Sequence, residues 1–212
     1  MPAAYLFDLD GTLVDSMTSG WVKMLEDFSL ANGEVCTPDL IKDVIALGLT
    51  GTAGYFKTRF SLKESVEEIE AEFVATLKEK YEKEIPAKKN VVQTLRALKE
   101  RGVSLNVLTA SPHIFLDPCM RRLGLYDVFD NLWSVEDFPT TKADPLIYKQ
   151  AAERLGKPIE DCAMVDDSIA VIQAAKSSGI RTIGVYDEFS SVFEREMQEV
   201  SDEYIYDFSQ LL

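Results

Sequence analysis

The chain has 212 residues, of which 46% are hydrophobic, so it can bury a substantial core in one domain, or in one domain with a smaller insert. Aspartate and glutamate total 36 against 22 for lysine and arginine, which gives a formal net charge of -14. This charge repels the phosphates of nucleic acids and of anionic membranes, so we expect neither as a partner.

The predicted elements alternate between short apolar runs and helical patterns. Short, largely apolar runs lie next to turns at residues 4–7, 103–108, 162–165 and 182–185. Such runs are typical of buried parallel strands. Apolar stripes with helical spacing begin at Val91, Ile147 and Ile169. This alternation predicts an α/β fold with a Rossmann-like parallel sheet and helices on both of its faces.

Residues 16–86 interrupt the alternation, because they are mostly helical in pattern. From Lys63 to Glu84 this segment is very rich in glutamate and lysine. An apolar stripe runs through the charged stretch at Val66, Ile69, Phe73, Leu77 and Tyr81. We therefore interpret the charges as the solvated face of an amphipathic helix. The predicted organisation is an α/β core of residues 1–15 and 87–212 with an all-helical insert of residues 16–86.

The cysteines and the N-terminus exclude several classes of protein. Cys36, Cys119 and Cys162 are odd in number and widely spaced, and His113 is the only histidine, so we expect neither zinc nor a disulfide framework. The N-terminus lacks the basic region and apolar run of a signal peptide, and no stretch reaches the ~18 apolar residues of a membrane span. We expect a soluble cytoplasmic protein, and nothing in the sequence demands more than a monomer.

The first predicted strand leads directly into two carboxylates, Asp8 and Asp10, followed by Gly11. In open α/β sheets ligands bind beyond the carboxyl ends of the strands, where these side chains are expected. With one residue between them the carboxylates can converge on one ligand, and Gly11 permits the turn that this requires. An isolated pattern of this kind is more often a turn in which aspartate caps the backbone.

Three further segments add polar groups at the ends of strands or the starts of helices. Thr109 and its neighbours open a helix, where hydroxyl and N–H groups either hold an anion or cap the helix. Lys142 precedes another helix, a position that by itself usually indicates a surface charge. Asp166 and Asp167 follow an apolar run, and such adjacent carboxylates need a nearby cation if they are partly buried.

In this order along the chain, the four segments resemble the four motifs of the haloacid dehalogenase-like hydrolases, over residues 5–185 or so. Residues 16–86 resemble the type 1 helical cap of phosphoglycolate phosphatase and β-phosphoglucomutase. The resemblance implies a magnesium-dependent phosphatase that hydrolyses a small phosphorylated metabolite through an aspartyl-phosphate intermediate.

The resemblance also implies a role for each carboxylate. Asp8 is the nucleophile and a metal ligand, and Asp10 is the general acid/base and lends its backbone carbonyl to the metal. Asp167, together with Asp166, completes the magnesium site. Hard oxygen ligands suit Mg²⁺, whose charge and that of Lys142 reduce the repulsion between carboxylate and phosphate.

The phosphate-binding groups implied by the resemblance are Thr109, the N–H of Ala110, and Lys142, which neutralises both the nucleophile and the phosphate. Two positions depart from the pattern of many relatives. Ala143 follows Lys142 where proline is common, and Val171 stands where glycine is common. Neither departure replaces a catalytic group.

Two other functions share parts of this pattern. β-Phosphoglucomutases typically have a histidine where this chain has Gly20, so a sugar-phosphate mutase is the alternative to a phosphatase. A receiver-type signalling domain also combines acidic residues, a hydroxyl and a lysine around magnesium, but its acidic pair precedes the acceptor aspartate. In the insert, Lys57 and Arg59 are either contacts to the distal part of a substrate or surface charges.

Overall fold

The computed structural model describes residues 2–45 and 47–212, and the chain divides into two compact units. The first unit is formed by the segment that ends at Asp15 together with Pro86–Leu212, and the second by Ser16–Ile85. In the described ranges, no helix is both long enough and apolar enough to cross a bilayer.

Within the described residues, six strands form one parallel sheet in the first unit, in the order β3-β2-β1-β4-β5-β6. They are β1 (Ala4–Phe7), β2 (Ser104–Thr109), β3 (Asn131–Ser134), β4 (Cys162–Asp166), β5 (Arg181–Val185) and β6 (Glu203–Ile205). The predicted α/β fold is confirmed. The strands β3 and β6 were not predicted, because they form the two edges of the sheet and carry partly exposed residues instead of a continuous buried run.

The α-helices in the described part of the second unit are α1 (Lys23–Ala31), α2 (Pro38–Ile45), α3 (Gly48–Phe60) and α4 (Val66–Lys83). A capping box begins α4, in which the hydroxyl of Ser65 accepts the N–H of Glu68 and the carboxylate of Glu68 accepts the N–H of Ser65. The predicted apolar stripe of α4 is buried at Ile69, Phe73, Leu77 and Tyr81, which confirms the amphipathic interpretation of the charged run.

The basic residues of α3 are bound within the second unit. Arg59 forms an ion pair with Glu34, and its Nη1 donates a hydrogen bond of 2.8 Å to the hydroxyl of Tyr55. Lys57 Nζ donates to the carbonyl of Leu62 at 3.2 Å, just beyond the end of α3. These contacts favour a structural role for Lys57 and Arg59 over contact with a substrate.

The helices of the first unit are α5 (Val91–Glu100), α6 (His113–Arg122), α7 (Leu146–Leu155), α8 (Ile169–Ser178) and α9 (Glu194–Val200). Successive residues of β1 pack into two separate parts of the core. Leu6 belongs to a buried cluster with Ile147 of α7 and Ala175 of α8. Phe7 contacts the rings of Phe129 and Phe208, with centroids 6.2 and 6.1 Å away. The sheet is therefore packed on both faces, as expected for a parallel sheet.

The order of the strands determines where a ligand can bind. From β1 the chain moves outward through β2 and β3, and it then returns to β4 on the other side of β1. Such a change of direction opens a crevice beyond the carboxyl ends of the central strands. In this sheet the crevice lies at the ends of β1, β2 and β4.

Candidate active site

The carboxyl ends of the three central strands carry polar side chains at adjacent positions. Asp8 follows β1, Thr109 is the last residue of β2, and Asp166 is the last residue of β4. The N–H of Asp8 donates to the carbonyl of Val165 at 3.0 Å, which continues the β1–β4 pairing one residue past the strand. This pairing sets Asp8 beside Asp166.

Three carboxylates meet at this point. Oxygen atoms of Asp8, Asp166 and Asp167 lie within 4.8 Å of one another. Asp8 is 6% exposed and Asp166 is 1% exposed, so water screens their charges poorly. Burying like charges together is costly unless a cation compensates them, and a set of carboxylate oxygens is the ligand type that Mg²⁺ prefers. The donor set therefore fits a hard divalent cation.

One cation of the protein already lies in this cluster. Lys142 Nζ is 2.5 Å from Oδ1 of Asp8 and 2.6 Å from Oδ2 of Asp166. The carbonyl of Lys142 accepts a 2.5 Å hydrogen bond from the hydroxyl of Tyr148 in α7. The buried side chain of Tyr148 thus fixes the backbone that carries the lysine. A single ammonium leaves an excess of negative charge among the three carboxylates.

The ionisation of these groups reflects their burial and their mutual repulsion. Burial raises the pKa of Asp8 to about 7, with the charge of Asp166 adding to the shift and that of Lys142 opposing it. Burial likewise raises the pKa of Asp167, reinforced by Asp166 and Asp8. Burial alone lowers the pKa of Lys142, but the charges of Asp166 and Asp8 outweigh it and the net direction is upward. The lysine therefore stays protonated.

Asp10 and the residues after β2 form a second polar group in the site. The hydroxyl of Ser111 donates to Oδ2 of Asp10 at 2.5 Å, and the N–H of Ser111 donates to Oγ1 of Thr109 at 3.1 Å. Thr109 is fully buried, whereas Ala110 between them is exposed. Ser111 thus connects Asp10, which follows β1, with Thr109 at the end of β2. Sequence reasoning gave Ser111 no role of its own.

The turn after Asp10 is shaped by its contact with Asp167. Gly11 has a φ of +74°, and a Cβ at this position would lie 2.6 Å from Oδ2 of Asp167. Only glycine combines this backbone conformation with such a close approach. Thr12 adds two hydrogen bonds of 3.1 Å, since its hydroxyl donates to Oδ1 of Asp167 and accepts the N–H of the same residue. Sequence reasoning did not assign a role to Thr12.

The structure thus brings together Asp8, Asp10, Thr109, Lys142, Asp166 and Asp167, with Ala110 next to Thr109. His113 is engaged elsewhere: its two ring nitrogens lie 3.1 Å from a carboxylate oxygen of Asp117 and 2.9 Å from one of Asp137. His113, at the start of α6, therefore pairs with carboxylates outside this group of residues.

Comparison with known proteins identifies the class. The model of the haloacid dehalogenase-like hydrolases matches residues 2–179. The chain is 30% identical to phosphoglycolate phosphatase of Agrobacterium fabrum, over 85% of this chain and 78% of that protein. It is 27% identical to hexitol phosphatase B of Escherichia coli, over 86% of this chain and 82% of that protein. The chain belongs to the haloacid dehalogenase-like hydrolases, in the subfamily of phosphoglycolate phosphatase and β-phosphoglucomutase with inserted helices.

Solved structures share this fold. A candidate β-phosphoglucomutase from Thermotoga maritima superimposes with a TM-score of 0.83 at 23% identity, over 99% of this chain and 96% of that chain. CbbY from Rhodobacter sphaeroides, solved in complex with phosphate, has a TM-score of 0.77 at 20% identity, over 100% of this chain and 96% of that chain. These similarities show the common fold.

Proposed function

We propose that the protein is a magnesium-dependent phosphatase that hydrolyses a small phosphate monoester through an aspartyl-phosphate on Asp8. The observation that carries this proposal is the environment of Asp8, which is buried, paired with Lys142, and clustered with Asp166 and Asp167. Relatives that cover most of the chain act on phosphoglycolate and hexitol phosphates, which supports small phosphorylated acids and sugars as the substrate class.

Asp8 is the group that attacks phosphorus. A carboxylate that approaches a phosphate dianion is repelled, and the ammonium of Lys142, 2.5 Å from Asp8, lowers this repulsion. When bound at Asp8, Asp166 and Asp167, with the backbone carbonyl of Asp10, Mg²⁺ supplies further positive charge against the same repulsion. The remaining chemistry belongs to the residues of the protein.

Asp10 moves the proton. In the first step it protonates the departing oxygen of the alcohol, and in the second it removes a proton from the water that attacks the aspartyl-phosphate. The hydrogen bond from Ser111 fixes the orientation of the Asp10 carboxylate. Thr109 and the N–H of Ala110 bind the phosphoryl oxygens at the end of β2. Binding there places phosphorus between the nucleophile and the proton donor.

Catalysis and selection of the substrate are assigned to different units of the chain. We assign catalysis to residues 1–15 and 87–212, because every site residue described above lies in this core. We assign selection of the substrate to the helical cap, residues 16–86. A small-molecule phosphate ester is the proposed partner, and no residue of the site suggests nucleic acid or membrane.

Gly20 favours hydrolysis over the mutase alternative. This residue is buried, and a Cβ added to it would lie 3.0 Å from Cδ1 of Ile85. The position where β-phosphoglucomutases typically carry histidine is therefore filled by an apolar neighbour here. Without that imidazole, water is the natural acceptor of the phosphoryl group. Membership of a hydrolase family argues equally against the receiver-type signalling function.

The test is turnover of a panel of phosphate esters, including p-nitrophenyl phosphate, phosphoglycolate and hexitol phosphates, with Mg²⁺ and with excess chelator. We expect release of inorganic phosphate only with the metal, and an acid-stable mass increase of one phosphoryl group on Asp8 after rapid quenching. Equal rates in chelator would contradict the metal assignment. Undiminished turnover by Asp8→Asn would contradict the assignment of the nucleophile.

A further inference from the structure

Lys88 has an unusual set of partners in the first unit. Its Nζ donates hydrogen bonds of 2.6 Å to the carbonyl of Gly11 and 2.6 Å to the carbonyl of Tyr186. It also lies 3.0 Å from Oδ2 of Asp187. The side chains are 18% exposed for Lys88 and 7% for Asp187, so these are largely desolvated, charge-assisted contacts. The second oxygen of Asp187 accepts the N–H of Phe189 at 3.0 Å, which orients the carboxylate.

These contacts connect two distant parts of the sheet. Gly11 follows β1, whereas Tyr186 and Asp187 follow β5, and β4 lies between the two strands. The Lys88 side chain therefore spans the end of β4, the strand that ends in Asp166. The backbone of Lys88 is fixed as well, since its N–H donates to the carbonyl of Leu13 at 2.9 Å.

Gly11 is the point at which this connection reaches the candidate active site. The peptide group that Lys88 holds joins Gly11 to Thr12, and the hydroxyl of Thr12 bonds Asp167. The opposite side of Gly11 is closed by the carboxylate of Asp167, 2.6 Å from the position of a Cβ. Gly11 has no side chain that packing can hold in place. Its N–H donates to the carbonyl of Val14 at 3.0 Å, and the contacts with Lys88 and Asp167 hold its other side.

We propose that Lys88 is a positioning residue for the active site. It holds the Gly11 carbonyl, and it thereby fixes the turn that carries Asp10 and Thr12 relative to Asp167. The ion pair with Asp187 orients the ammonium of Lys88 toward the carbonyl of Gly11. The inference rests on the proposed function, because its importance for turnover follows from the roles given to Asp8 and Asp10. Among the described residues, Lys88 has hydrogen bonds to Gly11, Tyr186 and Asp187, and its charge also opposes the rise in the pKa of Asp167. Loss of that charge alone would not weaken the binding of a cation, so a lower Mg²⁺ affinity reports the geometry of the turn.

The test compares Lys88→Met with Lys89→Met, which removes the same charge from the next residue. Lys89 is 85% exposed and pairs with Asp207, so it provides a matched control. We expect Lys88→Met to lower kcat and weaken Mg²⁺ binding by about 10-fold or more, the usual range for groups behind a metal ligand, with KM changed much less. Lys88→Arg should recover part of the loss, and Lys89→Met should behave as wild type.

Mg²⁺ binding by isothermal titration calorimetry is measured for each variant, because it does not depend on turnover. A Lys88→Met variant that melts at a lower temperature but keeps wild-type Mg²⁺ affinity and kcat would overturn the inference, since a purely structural role predicts that result. If Lys88→Met does not fold, Asp187→Asn, which retains a carbonyl acceptor for Lys88, must weaken Mg²⁺ binding by a smaller factor. Wild-type Mg²⁺ affinity in Asp187→Asn would also overturn the inference. Absence of turnover in the wild type would reject the proposed function, while the titration still decides the role of Lys88.

Discussion

The ammonium of Lys142 lies 2.5 Å from Oδ1 of Asp8, although the two residues are 134 positions apart in the chain. Both side chains are almost fully buried, so each depends on the other for charge compensation. Lys142 also contacts Asp166, which makes it the one cation that touches two of the three clustered carboxylates among the described residues.

Replacing Lys142 with methionine should lower kcat/KM by at least about 100-fold, because the site loses a preorganised charge that offsets repulsion between carboxylate and phosphate. The melting temperature in chelator should also fall, since Asp8 and Asp166 lose their compensating partner. Lys149→Met is the matched control, because Lys149 is an exposed residue of α7. A Lys142→Met enzyme with the kinetics of the control would contradict the role given to this residue.

Substitutions of Asp8 and of Asp10 should impair turnover in different ways. Asp8→Asn removes the nucleophile, so turnover of every ester should disappear. Asp10→Asn removes proton transfer, which is worth about 10²–10⁴-fold. An alkyl phosphate needs a proton on its departing oxygen, whereas p-nitrophenolate leaves well without one. We therefore expect Asp10→Asn to release p-nitrophenolate in a burst and then to slow at hydrolysis of the aspartyl-phosphate.

Intact-mass measurement during the slow phase should detect the phosphoryl adduct on Asp8. Equal slowing of both kinds of ester by Asp10→Asn, with no burst and no adduct, would contradict the division of roles between Asp8 and Asp10.

The stabilising effect of Mg²⁺ should depend on pH. In the metal-free folded protein the pKa of Asp8 rises from 3.8 to about 7, so the folded state binds this proton more tightly than the unfolded chain does. The contribution of Asp8 to the free energy of unfolding therefore decreases as the pH rises through this interval and stays low above it. Asp167 shifts in the same direction. Mg²⁺ binds the deprotonated carboxylates, so it should restore the free energy of unfolding that is lost as the pH rises.

We expect Mg²⁺ to raise the melting temperature more at about pH 8 than at about pH 5.5, where protons compete for the ligands. Thermal melts in chelator and in Mg²⁺ at both pH values measure this difference. An Asp167→Asn variant should show a smaller increase at the higher pH. A Mg²⁺ effect that is independent of pH would argue against metal binding by the carboxylates of raised pKa.

Gly11→Ala should impair the site through a steric contact. Its methyl group would lie 2.6 Å from Asp167 Oδ2, and the positive φ adds about 1–2 kcal/mol of strain. Gly102→Ala is the matched control, because Gly102 has a similar φ of +79° but no atom within 4 Å of a Cβ. Both variants should lose thermal stability, whereas only Gly11→Ala should weaken Mg²⁺ binding. Equal Mg²⁺ affinities in the two variants would show that the contact with Asp167 has no functional effect.

The helical insert shows what local patterns can determine. The spacing of five apolar residues predicted a helix with a buried stripe: Val66, Ile69, Phe73, Leu77 and Tyr81. In α4 this stripe is buried except at Val66, which is partly exposed. Burial in a helix follows from a periodicity that is read within one segment, so distant residues are not needed to recognise it. The central strands were predictable for the same reason, since each is a short run that is buried apart from the first residues of β2 and β5, Ser104 and Arg181. The edge strands β3 and β6 lack this signal.

The sequence by itself determined the α/β fold, the family, and the candidate residues of each motif, because each depends on residues close together in the chain. Only the tertiary structure decided which of these side chains meet. Ser111 and Asp10 are 101 residues apart, Thr12 and Asp167 are 155 apart, and Lys88 and Asp187 are 99 apart. Such contacts follow from the order in which the strands assemble, which gathers the ends of β1, β2, β4 and β5 at one edge of the sheet. Lys88 and Lys89 are neighbours just before a helix, and no local feature of the sequence distinguishes them. Lys88 holds the turn at Gly11, whereas Lys89 is exposed.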